Sequence, residues 1–215
     1  MPIPTEQPLL GLNGHTDRRS VAAAPAPPKP VANAGPLGLS AFAITTFLLS
    51  MVNAGLLAKG AEPIVFGMAL MMGGLAQVLA GMWEFRNGKT FSGTAFIAYG
   101  AFWLSFWALV QFYVADIPKA EVADAVGLYL IAWGIFTAYM FVASFKTTRA
   151  VNVVFGLLLA TFLALGIGEI AASTGLTKAG GYLGLMTAAV GAYLAMAELT
   201  NATFGRKVLP IHPLS

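Results

Sequence analysis

The chain has no cysteine and only two histidines, His15 and His212. Disulfide and thiolate chemistry are thereby excluded, and too few ligands remain to build a metal centre. No GxxxxGK[ST] segment occurs, so the sequence has no loop of that kind to cradle a nucleotide's phosphates. Charge is scarce as well, with 10% of residues Asp, Glu, Lys or Arg, against about 25% in ordinary soluble domains. The net charge is only +3, and the basic residues form no clustered stripe that would grip nucleic acid. A chain so poor in nucleophiles, bases and ligands reads as a non-enzyme with no cofactor. It suits a pore or carrier.

What fills the space instead is apolar surface, 58% of 215 residues. The test is whether it forms runs of roughly 20 residues with few charges inside, the length a helix needs to cross a bilayer. Six runs qualify: Leu39 to Ala58, Pro63 to Trp83, Phe91 to Ala115, Ala125 to Phe145, Val151 to Ser173 and Ala179 to Leu199. None contains Lys or Arg. Short connections predict one compact bundle, so the fold class is an all-α, multi-pass protein of the cell membrane with six transmembrane helices.

Residues 1–35 differ in kind. They hold most of the prolines and the run AAAPAPPKP from Ala22 to Pro30, a composition that cannot bury enough apolar surface to order itself. The expected organisation is a disordered tail over 1–35, a transmembrane domain over 36–205 and a C-terminal tail over 206–215. The tail lacks the apolar core and cleavage site of a secretory signal, and nothing in it suggests removal.

Lys and Arg flanking a span tend to stay in the cytoplasm. With both ends on one side, that side carries Arg18, Arg19, Lys29, Arg86, Lys89, Lys146, Arg149, Arg206 and Lys207. The other side carries Lys59, Lys119 and Lys178. The imbalance places both termini in the cytoplasm.

Polar residues inside the spans are few, and each has a packing reading beside a functional one. Phe42, Thr46, Leu49 and Asn53 share one face of the first helix by their 4, 3, 4 spacing, and Leu158, Phe162, Leu165 and Glu169 do the same on the fifth. Such stripes pack helices together or line a pathway. Glu169 is costly at membrane depth, at least about 2.5 kcal/mol near the centre, so it either meets a partner or water near its helix end or handles substrate or protons. Glu84 and Glu198 lie at inner ends and read as structural or surface residues. On the second helix Ala69, Gly73, Gln77 and Gly81 recur every four residues, a spacing that lets helices approach closely. Gln77 then either ties helices together, the favoured reading, or offers its amide to a solute. In the third span Tyr99, Phe102, Trp103 and Phe106 fall mid-helix rather than at the interface where Trp and Tyr commonly sit, which predicts a packed interior or a constriction. Asn33 can cap the first helix, with Pro36 in its first turn, and the free N–H groups there favour an anion.

The segments NAGPLGLSAF (Asn33 to Phe42), GGLAQVLAGMWEFRNGKTF (Gly73 to Phe91), TAFIAYGAFW (Thr94 to Trp103) and YLAMAELTNATFGRKVLPI (Tyr193 to Ile211) together resemble the acetate uptake transporter family. The likeness runs from Asn33 to Ile211, almost all of the chain except the tail. It implies a six-helix protomer in a homohexamer, each protomer passing acetate and sometimes succinate, by proton symport or as a channel. It also implies a narrow hydrophobic gate, which by position falls on Phe42, Tyr99 and Leu158. One departure stands out: the family's opening motif usually reads Asn-Pro-Ala-Pro-Leu-Gly-Leu, whereas this chain has Asn33-Ala34-Gly35-Pro36-Leu37-Gly38-Leu39. A stiff entry becomes a looser one, because Pro fixes φ and Gly frees it.

A short carboxylate passing such spans meets no fixed cation. Its stabilisation falls to the hydroxyls of Thr46 and Tyr99, the amides of Asn53 and Gln77, and helix N-termini, Asn33's among them. Uptake against a negative-inside potential costs about 2.3 kcal/mol per 100 mV for an anion and nothing for the neutral acid, with Glu169 the candidate for proton handling. Two rival readings fit the same six runs: a passive pore for small neutral solutes or ammonia, and a membrane scaffold that transports nothing.

Overall fold

In the computed structural model, residues 31–212 and 214 are described. Six helices are long and apolar enough to cross a membrane: α1 Gly35–Asn53, α2 Lys59–Arg86, α3 Thr90–Asp116, α4 Val122–Ser144, α5 Arg149–Ile170 and α6 Thr174–Phe204. The six expected spans are all present, with shifted ends. Gly35-Pro36 starts α1 earlier than the hydropathy suggests, and Gly55 at φ +74° ends it earlier. Two helices are not regular throughout: α2 is π-helical over Ala69–Ala76, and α3 over Leu109–Tyr113.

The helices form a ring. Going round it, α4 packs on α5, α5 on α6, α6 on α1, α1 on α2 and α2 on α3. Several of these approaches are backbone-close. A Cβ at Gly181 on α6 would collide with the backbone N of Ala54 just past α1, and one at Gly81 on α2 would lie 3.0 Å from the carbonyl oxygen of Gly93 on α3. The remaining seam, α3 against α4, is closed by side chains instead: Tyr99 on Trp133 and Phe136, and Phe102 on Trp133 and Tyr129. Long aromatic side chains hold those two helices apart, which keeps the middle of the ring open enough to be filled by rings. Outward faces carry exposed Ile44, Phe47, Leu79, Leu128, Ile135 and Ile167, the surface a multi-pass membrane protein presents to lipid.

The expected tail over 1–35 lies outside the described residues as far as Pro30, and with it His15, Arg18, Arg19 and Lys29. Its last part is held in place: the Ala32 carbonyl accepts from Asn87 Nδ2 at 3.1 Å, and Ala34 N donates to Glu84 Oε1 at 3.3 Å. The residues before the first apolar run have partners because Glu84 and Asn87, at the end of α2, reach back to them. The segment after α6, expected as a second tail, also returns to the bundle. Asn201 Oδ1 accepts from Val208 N and Leu209 N, Tyr193 donates to the Pro210 carbonyl, and Arg149 N donates to the His212 carbonyl.

Candidate functional site

Phe42 on α1, Tyr99 on α3 and Leu158 on α5 converge at the centre of the ring, each almost wholly buried. The Phe42 and Tyr99 rings lie 5.9 Å apart, and Phe155, one turn before Leu158, stands 6.0 Å from Tyr99 on the other side. These three residues form the floor of a cavity of about 400 Å³ that opens at the end of the bundle where α1 begins. A second cavity, of about 720 Å³, lies at the opposite end and is lined at depth by Leu49, Phe102, Leu130 and Leu165. No residue lines both.

Between the cavities runs a plug that follows the two helical stripes read from the sequence. Phe42 faces the first cavity, Leu49 and Asn53 the second, with buried Thr46 between. On α5, Leu158 faces the first cavity, Leu165 and Glu169 the second, with buried Phe162 between. Seven residues at 1.5 Å each make the plug about 10 Å thick. A layer this thin and this apolar is a natural place for water to be excluded.

The polar atoms around the plug divide into committed and free. Tyr99 Oη lies 3.0 Å from Thr137 Oγ1, and Thr137 gives its single proton to the Trp133 carbonyl at 2.7 Å. Tyr99 must therefore be the donor to Thr137. Its O–H is directed at α4, which leaves the oxygen's acceptor capacity as what it can offer elsewhere. Thr46 Oγ1, Trp103 Nε1 and both ends of the Gln77 amide find no hydrogen-bond partner among the described residues. Gln77 is fully buried and borders the first cavity. It ties no helices together, contrary to the favoured sequence reading. A buried amide left unpaired costs about 1–3 kcal/mol for each unsatisfied group.

At the mouth of the first cavity the structure places a polar cluster around Glu84 and Glu198, for which the sequence left a structural and a surface reading open. Glu84 is buried and accepts from Ser92 Oγ at 2.6 Å and from Lys89 Nζ at 3.3 Å as well as from Ala34 N. Asn33 accepts from Lys89 Nζ at 2.7 Å and from Gly35 N at 3.1 Å, and donates to Glu198 Oε2 at 3.3 Å. The capping position of α1 is Ala34, not Asn33. Glu84 takes the Ala34 N–H at this helix terminus. Asn33 anchors α1 at the rim of the cavity, with both ends of its amide occupied.

The residues missed are on α4 and α5. Trp133 and Thr137 are spaced by four on one face of α4, and Phe155 sits three before Leu158, the same periodic signal that picked out α1. Only the aromatic content of α3 had drawn attention to that neighbourhood.

Residues 16–215 match the model of the GPR1/FUN34/yaaH family. The chain is 41% identical to the succinate-acetate/proton symporter SatP of Escherichia coli, over 84% of this chain and 95% of the relative. It is 37% identical to acetate permease A of Emericella nidulans, over 84% of this chain and 65% of the relative, and 41% identical to ammonia transport outward protein 2 of Saccharomyces cerevisiae, over 89% and 69%. Its fold matches the structure of the bacterial acetate channel SatP with a TM-score of 0.79 and 41% identity, covering 84% of this chain and 99% of that one.

Proposed function

The chain belongs to the GPR1/FUN34/yaaH family, and from that premise we propose that it transports acetate across the cell membrane through the plug bounded by Phe42, Tyr99 and Leu158. The observation that carries the reading is the pair of cavities at opposite ends of one protomer, separated by an apolar layer about two helical turns deep. Each protomer then holds its own path, and assembly into a homohexamer serves to pack these protomers side by side in the bilayer. Succinate is the second solute that this reading admits. Both termini lie on the cytoplasmic side, which gives the first cavity to the cytoplasm and the second to the outside.

The site suits the neutral acid. Nothing in the plug supplies a fixed cation, and dewetting holds it shut to ions when unoccupied. The free amide of Gln77 can donate to a carboxyl C=O and accept from its O–H at once, two hydrogen bonds to acetic acid where acetate, having no proton, can only accept. Passage with a proton also escapes the electrical penalty of about 2.3 kcal/mol per 100 mV. Glu169, at the edge of the second cavity, is placed to exchange that proton with water.

Labelled acetate uptake into proteoliposomes tests this. Uptake is expected to rise when the source side is made acid. Uptake indifferent to an imposed pH gradient contradicts passage with a proton, and no uptake at all contradicts the function.

A second reading has its own support in the similarity to the ammonia transport outward protein. A plug without fixed charge admits neutral ammonia on the same terms as acetic acid. Ammonia flux in the same vesicles, with no acetate flux, selects it.

A further inference from the structure

The cavity opposite the α1 entry carries four charged side chains, Lys59, Glu62, Glu169 and Lys178, around an opening of about 720 Å³, with two lysines where the first cavity has the single, ion-paired Lys89 beside Glu84 and Glu198. Among the described residues the only ion pair within 4 Å is Lys89–Glu84 at the other end. Neither lysine here is joined to a glutamate, although Glu62 lies in the field of both Lys59 and Glu169. Lys59 and Lys178 are exposed, Glu62 and Glu169 half-buried. The lysines come from the two helices that flank α1: Lys59 opens α2, whereas Lys178 in the first turns of α6 crosses the end of α1, its Cε 3.1 Å from where a Gly55 Cβ would stand. Asn53, the last residue of α1, adds an amide to the same lining.

We infer that this cavity is an antechamber that captures short carboxylate ions on Lys59 and Lys178 and hands them to the plug. This rests on the acetate reading above and extends it to a site with a different chemistry. A plug that offers no cation cannot concentrate a dilute anion, whereas two exposed ammonium groups that are not ion-paired to the cavity's glutamates offer it a local cationic contact at the mouth. The two glutamates cancel the lysine charge overall, which keeps capture weak enough for release. A dicarboxylate, with a charge for each ammonium, gains more than acetate from the pair.

Proteoliposomes of determined orientation, supplied with labelled acetate from this side at two ionic strengths, separate capture from conduction. The K59Q/K178Q variant should raise the half-saturation concentration about threefold or more and leave the maximal flux within about twofold, because steering acts on encounter. K59R/K178R should restore the half-saturation, and E62Q should lower it. K119Q, which removes a charge from the exposed α3–α4 connection at the same end but outside the cavity, should change nothing. Added salt should weaken the wild type and leave K59Q/K178Q nearly indifferent. An active wild type whose half-saturation and salt dependence survive K59Q/K178Q overturns the antechamber and leaves the acetate reading standing. A wild type that carries no acetate removes both.

Discussion

Gln77 and Tyr99 look alike in sequence, two polar side chains mid-span, and the structure separates them by where their hydrogen bonds go. Tyr99 donates to Thr137, so Y99F should keep acetate flux within about twofold and cost about 1 kcal/mol of stability, one ordinary hydrogen bond. Y99A should remove the ring and leave the path leaking; equal flux in the two variants would show that the ring contributes nothing to the barrier. Gln77 has no hydrogen-bond partner among the described residues, so Q77L should leave stability unchanged or raise it by up to about 3 kcal/mol, while lowering acetate flux about tenfold. A lowered melting temperature for Q77L in detergent would mean that the amide is tied after all. Phe42, Tyr99 and Leu158 were named through the motif resemblance, and the stripes that Phe42 and Leu158 belong to were legible because helical spacing survives folding. Whether a given amide or hydroxyl is already paired depends on α4, and no spacing within one helix reports that.

At the scale of elements, the stripe Ala69, Gly73, Gln77, Gly81 stays buried along its whole length, although residues four apart drift by about 40° per step on a regular α-helix. The π-helical stretch from Ala69 to Ala76 widens the turn and takes up that drift. The stripe could be read from the sequence; the π turn that makes it straight could not. Close approach of α6 to α1 depends on Gly181, where a side chain meets backbone that cannot yield. G181V should cost about 3 kcal/mol or more, read as a fall in melting temperature, whereas G60A, in open space, should be silent. The chain ends show the same limit of sequence reading. Polar, proline-containing segments look like tails, yet Asn201 and Tyr193 hold Val208 to Pro210 against the bundle. Removing the residues from Val208 onward should increase hydrogen exchange in the connection from Thr147 to Arg149, to which Leu214 and His212 are bonded; unchanged exchange there would make this segment a passenger.

For the whole molecule, six spans, one bundle and a convergence of Phe42, Tyr99 and Leu158 were within reach of hydropathy, helical spacing and motif resemblance. The two cavities were not, because each is made by the ring of helices and belongs to none of them. The same holds for the charge distribution along the path. A paired, buried Glu84 guards one end, an apolar plug fills the middle, and four unjoined charges surround the other end. On the reading proposed above, this order gathers an ion in water, has a proton remove its charge, and passes it where no cation waits. The height of the barrier then resides in the plug, and Leu158 is its least polar, most easily reduced part. The most direct test is the acetate flux of L158A against wild type in proteoliposomes with matched insertion. The account predicts flux raised severalfold with the pH-gradient dependence weakened, and a flux equal to that of the wild type would contradict it.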